Sequence, residues 1–127
     1  MFHIRSHSAL FAHLANKGDL SVTTLEKLDL DVSSVPSLAE AVLLGCRFPR
    51  GARMPSDLSA ALFVDCAMPA LQFDGASLFL ARFIRCDLTG SRFKSCDLSA
   101  SRFVDCRWEG VVLQDCDLEA AEIPHHY

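Results

Sequence analysis

From Leu58 onward, every fifth residue is large and apolar. The series runs Leu58, Phe63, Met68, Phe73, Leu78, Phe83, Leu88, Phe93, Leu98, Phe103, Trp108, Leu113, Leu118, Ile123. The residues two places earlier make a second series, Ser56, Ala61, Cys66, Leu71, Ala76, Ala81, Cys86, Ser91, Cys96, Ser101, Cys106, Val111, Cys116, Ala121. Apart from Leu71 these are small or compact. The three remaining positions of each five carry nearly all the charge. A period of five fits neither a helix nor a plain strand. It requires short extended pieces separated by regular turns, with positions i and i−2 facing one interior, as strand alternation allows. Gly75, Gly90 and Gly110 fall at the turns, where positive φ is often needed.

Longer spacings predict four sides per coil. Phe63-Val64-Asp65-Cys66, Phe83-Ile84-Arg85-Cys86 and Phe103-Val104-Asp105-Cys106 recur at every fourth five, and Arg82 and Arg102 share that spacing. A triangular coil of three fives would not align them.

The segments Cys86-Asp87-Leu88-Thr89-Gly90, Ser91-Arg92-Phe93-Lys94-Ser95 and Cys96-Asp97-Leu98-Ser99-Ala100 resemble the pentapeptide-repeat family, whose motif is small, Asp or Asn, Leu or Phe, Ser, Thr or Arg, Gly. The resemblance covers just over half the chain. It implies an all-β fold: a right-handed quadrilateral parallel β-helix, here of about four coils with a short N-terminal helical cap. One domain is expected over 1–127, with the helical cap in 1–24, an irregular first coil in 25–55, the regular solenoid in 56–123 and a tail in 124–127.

The N-terminal part breaks the pattern. Phe2, Leu10, Phe11 and Leu14 have spacings compatible with a short helix that Gly18 ends. Leu28, Leu30 and Val32 alternate like a first strand. Pushed back, the frame passes through Phe48, Leu43 and Leu38 but puts Arg53 in the core, which is costly unpaired. A loop over 49–55, bounded by Pro49, Gly51 and Pro55, avoids this. Ser37 with Glu40 alternatively forms a capping box that starts a short helix.

Composition narrows the function. Half the residues are hydrophobic and the net charge is −4, which argues against direct nucleic-acid binding. No apolar run is long enough to span a bilayer, and the N-terminus is a poor signal peptide, so the expectation is a cytoplasmic protein without membrane contact. All six cysteines, Cys46, Cys66, Cys86, Cys96, Cys106 and Cys116, occupy i−2 positions. Stacked at about 4.8 Å per coil, at most two sulfurs reach one ion, so core packing is expected rather than zinc or disulfides. His3, His7, His13, His125 and His126 lack metal or catalytic spacing. No nucleophile elbow or phosphate loop is present. The reading is a non-enzyme with no metal, cofactor or small-molecule substrate.

Function then lies in outward residues. Val64, Ile84 and Val104 follow the core Phe on one side, Leu62, Arg82 and Arg102 precede it, and Phe79 and Leu80 stand at the preceding corner. An apolar stripe flanked by arginines suits a protein interface. The competing feature is an acidic column of Asp57, Asp97 and Asp117 with Glu119 beside it. The resemblance implies two kinds of partner. The first expectation is a bacterial immunity protein that neutralises a secreted toxin or effector. The second is a DNA mimic that binds gyrase or topoisomerase, ranked lower because such mimics resemble long, strongly acidic dimeric rods and this chain carries arginines at 82, 85, 92, 102 and 107. A structural scaffold is third.

Overall fold

In the computed structural model, residues 2–124 are described. The chain winds as a parallel β-solenoid with one short helix. The elements are β1 (Phe2–Ile4), α1 (His7–Lys17), β2 (Thr23–Glu26), β3 (Val42–Leu44), β4 (Leu62–Val64), β5 (Gln72–Asp74), β6 (Arg82–Ile84), β7 (Arg92–Lys94), β8 (Arg102–Val104) and β9 (Val112–Gln114). β1, β2, β3, β4, β6 and β8 stack into one parallel sheet (side 1), and β5, β7 and β9 into another (side 3). Isolated bridges complete two further ladders. Asp29, Arg47, Ala67, Asp87 and Arg107 form side 2, and Ser37, Asp57, Ser77, Asp97 and Asp117 form side 4.

Corners explain the period. Residues 60, 65, 70 and so on to 120 all have positive φ, whether glycine (Gly75, Gly90, Gly110) or not (Ala60, Asp65, Ala70, Leu80, Arg85, Ser95, Ala100, Asp105, Asp115, Ala120). Each such residue redirects the strand, and from Ala60 to Ala100 each aims its N–H at a carbonyl of the next turn. Ala60 donates to the Phe79 carbonyl, Asp65 to Ile84 and Leu80 to Ser99, at 2.8, 2.9 and 3.2 Å. The corner N–H groups are thereby satisfied across turns.

The interior follows the two apolar series. Phe63, Phe73, Phe83 and Phe93 are fully buried. Phe63, Phe83 and Phe103 stack with ring centroids 4.7 Å apart, and Phe73 lies 4.4 Å from Phe93, because rings one turn apart inherit the strand spacing. The two columns meet edge-on, Phe73 against Phe83 at 86°. Trp108 closes the far end against Phe103. The small series fills the space between. Its two buried hydroxyls are paired: Ser91 Oγ donates to the Met68 carbonyl, and Ser101 Oγ to that of Leu98.

The stack is about six turns high, not the four expected, because residues before 56 join the same ladders. They escaped the five-residue frame because their turns differ in length. Val42 pairs with Leu62 at the regular spacing of four fives, but Thr24 pairs with Val42 at a spacing two residues shorter. The shorter turn is made on the side where Val32 and Val35 are buried, and Val35 N–H bonds back to the Val32 carbonyl. Arg53 does not enter the core. It pairs with Gln72, one residue short of the regular spacing, so Met54 takes the interior position and is 8% exposed. Pro49 adds one residue after Phe48, the corner moves to Gly51 (φ 76°), and a side one residue shorter restores the frame at Leu58. Residues 49–55 are thus a shifted side rather than an interrupting loop.

Other local expectations also change. The early strand covers Thr23–Glu26 only, and Lys27 (φ 54°) turns the chain before Leu28. Ser37 bridges Asp57 while Glu40 is a corner residue, so no helix starts there. α1 does end at Gly18, whose N–H bonds the Leu14 carbonyl. It begins at Ser6, which accepts from Ala9 N–H. Phe2 lies in β1 instead, and Leu10 is the residue of α1 that plugs the first turn.

Phe83→Ala is expected to cost about 3–5 kcal/mol, since the rings of Phe63, Phe73 and Phe103 lose a partner. Met54→Ala should cost about 2–5 kcal/mol and Arg53→Ala under about 0.5 kcal/mol. Chemical denaturation checks both, and a larger loss at Arg53 than at Met54 would contradict the shifted frame.

Candidate protein-binding face

Side 1 is a regular sheet, so its outward residues form two straight rows flanking the buried Leu25, Leu43, Phe63, Phe83 and Phe103. In the row before the core residue, Thr24, Val42, Leu62, Arg82 and Arg102 are successive register partners, and Glu122 bridges Arg102. In the row after it stand Glu26, Leu44, Val64, Ile84 and Val104. The structure therefore brings Leu62, Val64, Arg82, Ile84, Arg102 and Val104 onto one surface. Val42 and Leu44 extend it by a turn. Sequence reading missed these two, although each lies four fives before a named member of its row, Leu62 and Val64.

Phe79 and Leu80 stand at the corner leading into β6. They are 44% and 48% exposed, which is high for side chains of this size. Hydrogen bonds place the pairs Ser59-Ala60 and Ser99-Ala100 directly on either side of them. Small neighbours leave this pair projecting. Leu80 also takes φ 63°, a conformation that costs a non-glycine residue about 1 kcal/mol or more.

Charge is arranged around the apolar rows. At the first-turn end Glu26 accepts from His3 (3.0 Å) and Arg5 (3.2 Å), and these hold its carboxyl below the usual range, the His3 hydrogen bond foremost. At the other end Arg102 pairs with Glu122 at 3.1 Å. Along the adjoining corner Arg85 makes two hydrogen bonds to Asp65, at 2.8 and 3.2 Å.

The acidic column on side 4 has a local use. Asp57, Asp97 and Asp117 do share one ladder, in the order Ser37, Asp57, Ser77, Asp97, Asp117. Each carboxylate, however, accepts a backbone N–H two residues on, from Ser59, Ser99 and Glu119. Ser59 and Ser99 add their hydroxyls. Asp87 does the same with Thr89 on side 2, its Oδ1 lying 2.6 Å from the hydroxyl. These bonds brace the corner, and for Asp97 and Asp87 they hold the carboxyl below its usual range, the hydroxyl's bond contributing most.

The thiols face inward. Cys46, Cys66, Cys86 and Cys96 are buried, and Cys106 and Cys116 in the last turns are half-buried. Each donates to a carbonyl of the preceding turn, as Cys66 does to Leu43 and Cys96 to Phe73. Burial pushes the Cys96 thiol up to about 11. Among the described residues no group of three or more His, Cys, Asp and Glu is placed to hold a metal ion, and no helix is long and apolar enough to cross a membrane. His3 serves Glu26, His7 Nε2 meets the Asp29 carbonyl, and His13 packs on Phe2 at 4.9 Å. His125 and His126 lie outside the described residues.

Two outcomes follow from these groups. Native protein should react with a thiol reagent at Cys106 and Cys116 first and at Cys96 orders of magnitude more slowly than unfolded chain, read by mass spectrometry. Rapid native labelling of Cys96 would refute its placement. The depressed carboxyls of Asp87 and Asp97 favour the folded state above the ordinary carboxylate pKa of about 4. That contribution is lost as pH falls through their folded values, so thermal stability should drop below about pH 4. Asp97→Asn should flatten the drop, and an unchanged acid limb would contradict the bracing role.

Residues 91–123 match the model for pentapeptide repeats, in eight copies. No curated protein matches the chain. Similar solved structures include QnrB1, a plasmid-mediated fluoroquinolone resistance protein, at 15% identity and TM-score 0.53 over 84% of this chain and 75% of that one. A pentapeptide repeat protein from the Arabidopsis thaliana thylakoid lumen is 19% identical, with TM-score 0.48, over 66% of this chain and 63% of its own length. The pentapeptide repeat protein Rfr23 from the cyanobacterium Cyanothece 51142 is 12% identical, with TM-score 0.43, over 94% of this chain and 100% of its own. At 15% identity the likeness to QnrB1 speaks for the fold alone. Residues 91–123 of this chain are pentapeptide repeats, and corners at every fifth residue with ladders joining every fourth five carry the same winding back through the solenoid.

Proposed function

We propose that the chain is a non-enzymatic, cytoplasmic solenoid that blocks a partner protein by laying side 1 against it. The observation that carries this reading is the pair of outward rows. Val42, Leu62, Leu44, Val64, Ile84 and Val104 lie in register on one sheet, beside the projecting Phe79 and Leu80. Adjoining apolar side chains with a rim of arginines and carboxylates have the composition of an interface. The backing is a right-handed quadrilateral coil, each side hydrogen-bonded to the next turn, so little conformational freedom is lost on binding. From the family resemblance, the partner is a secreted bacterial toxin or effector, and the role is immunity.

A second reading makes the partner gyrase or another topoisomerase, reached through the side-4 carboxylates. Its support is the Asp57, Asp97, Asp117 ladder with Glu119. The first reading stands ahead of it because those carboxylates are engaged in bracing corners and Ser77 separates Asp57 from Asp97, which is a poor copy of a continuous phosphate track.

Affinity capture from the source lysate at low salt separates the readings. Wild-type protein should retain a protein that Ile84→Asp and Val104→Asp lose at least tenfold, while Lys94→Asp on side 3 retains it. Equal retention by all variants would refute side 1 as the contact. Gyrase inhibition or protection at micromolar protein in a supercoiling assay, abolished by Asp97→Asn with Asp117→Asn, would instead favour the second reading.

A further inference from the structure

Among the described residues, six ladder contacts join two charged side chains. Four join opposite charges: Asp29 with Arg47, Asp74 with Lys94, Asp87 with Arg107, and Arg102 with Glu122. Two join like charges: Asp97 with Asp117 and Arg82 with Arg102. Like charges directly opposite on a sheet are destabilising. The acidic pair has a local explanation, since both carboxylates accept corner N–H groups. The arginine pair has none. Arg102 is neutralised by Glu122, whereas Arg82 makes no ion pair among the described residues. Its register neighbour on the other side is Leu62, and Ile84 lies two residues along the same strand. An exposed guanidinium with Leu62 beside it in the ladder, Ile84 two residues along the strand and a second guanidinium on its other side is arranged to receive a carboxylate in a setting where water is displaced on contact.

We propose that Arg82 is the specificity-determining residue of side 1, and that the partner's contact segment presents a carboxylate between two apolar side chains. This inference rests on the side-1 reading given above. It assigns the apolar rows to the partner's flanking side chains and the charge to Arg82. The projecting Phe79 and Leu80 form the wall of the site on its corner side. Charge complementarity selects this occupant over a second copy of the chain. The two carboxylates in the rows, Glu26 and Glu122, are both engaged, by His3 and Arg5 and by Arg102, so the same face of a second copy offers Arg82 no free carboxylate among the described residues.

The test uses the full chain, ¹⁵N-labelled, with the capped peptide acetyl-Leu-Asp-Leu-amide as probe and acetyl-Leu-Asn-Leu-amide and inorganic phosphate as comparisons. The Asp peptide at millimolar concentration should shift backbone amides of β4, β6 and β8. The Asn peptide should bind at least fivefold more weakly, and phosphate should leave those amides unmoved. Arg82→Gln should remove the difference between the two peptides, while Arg92→Gln on side 3 keeps it. Arg82→Gln should also raise the melting temperature by about 1–4 °C, as relief of the like-charge contact requires. Equal binding of the two peptides, absent shifts, or equal shifts with phosphate would overturn the inference. If those results came with a captured protein that Ile84→Asp still loses, side 1 would stand as the interface and only the role of Arg82 would fall. Concentration-dependent dimerisation through the same amides would overturn the choice of partner.

Discussion

A left-handed residue at every fifth position turns this chain through a corner, and the rest of the structure depends on that backbone constraint. A corner costs a non-glycine residue about 1 kcal/mol or more, and Asp65, Leu80, Arg85 and Asp105 all bear it. What offsets the cost is closure. From Ala60 to Ala100 the corner N–H reaches a carbonyl of the next turn, to which the ladders also bind the segment that follows. Asp57, Asp87 and Asp97 reinforce corners by accepting a backbone N–H and a hydroxyl two residues on. Corner and ladder are therefore one cooperative device, with turn length set by where an N–H finds its acceptor.

In-register stacking gives every column a common environment. Inward, it produces the phenylalanine stacks, with centroids at 4.4–4.7 Å, and the lines of small residues beside them. Thiols suit those lines because each is compact and its S–H can donate to a carbonyl of the turn before. Outward, it turns separate residues into continuous rows. A face built this way is straight and stiff, so its chemistry is set by which residues recur at every fourth five, and a single change appears as an interruption with defined neighbours. Phe79 and Leu80 between serine and alanine pairs are such an interruption, as is Arg82 next to Leu62.

The regular solenoid was legible in the sequence because residues 56–123 keep one frame without insertion. In the first half only the short helix ending at Gly18 was legible, and the reasons are local. A turn two residues short and the extra Pro49 each shift the frame, so that a five-residue count lands on Arg53 when the interior residue is Met54. Ser6 as helix cap is a weak signal in a histidine-rich start, and β1 is too short a strand to declare itself. On the candidate face, all eight residues singled out by the pattern lie on side 1 or its corner, but Val42 and Leu44 fell on the far side of the frame shift. The sequence could show that Asp57, Asp97 and Asp117 align. It could not show that their carboxylates are already engaged, because this depends on the corner's left-handed backbone, which brings an N–H to within 3.1 Å of the side chain.

The chain returns over itself after every four fives in the solenoid, with the frame restored across residues 49–58. Nuclear Overhauser contacts between backbone protons of neighbouring strands test it directly. A parallel pattern is expected, linking Leu62–Val64 to Arg82–Ile84 and these to Arg102–Val104, with Arg53 facing Gln72. Contacts at the spacing of three fives, such as Phe63 facing Leu78, or Arg53 facing Phe73, would contradict it.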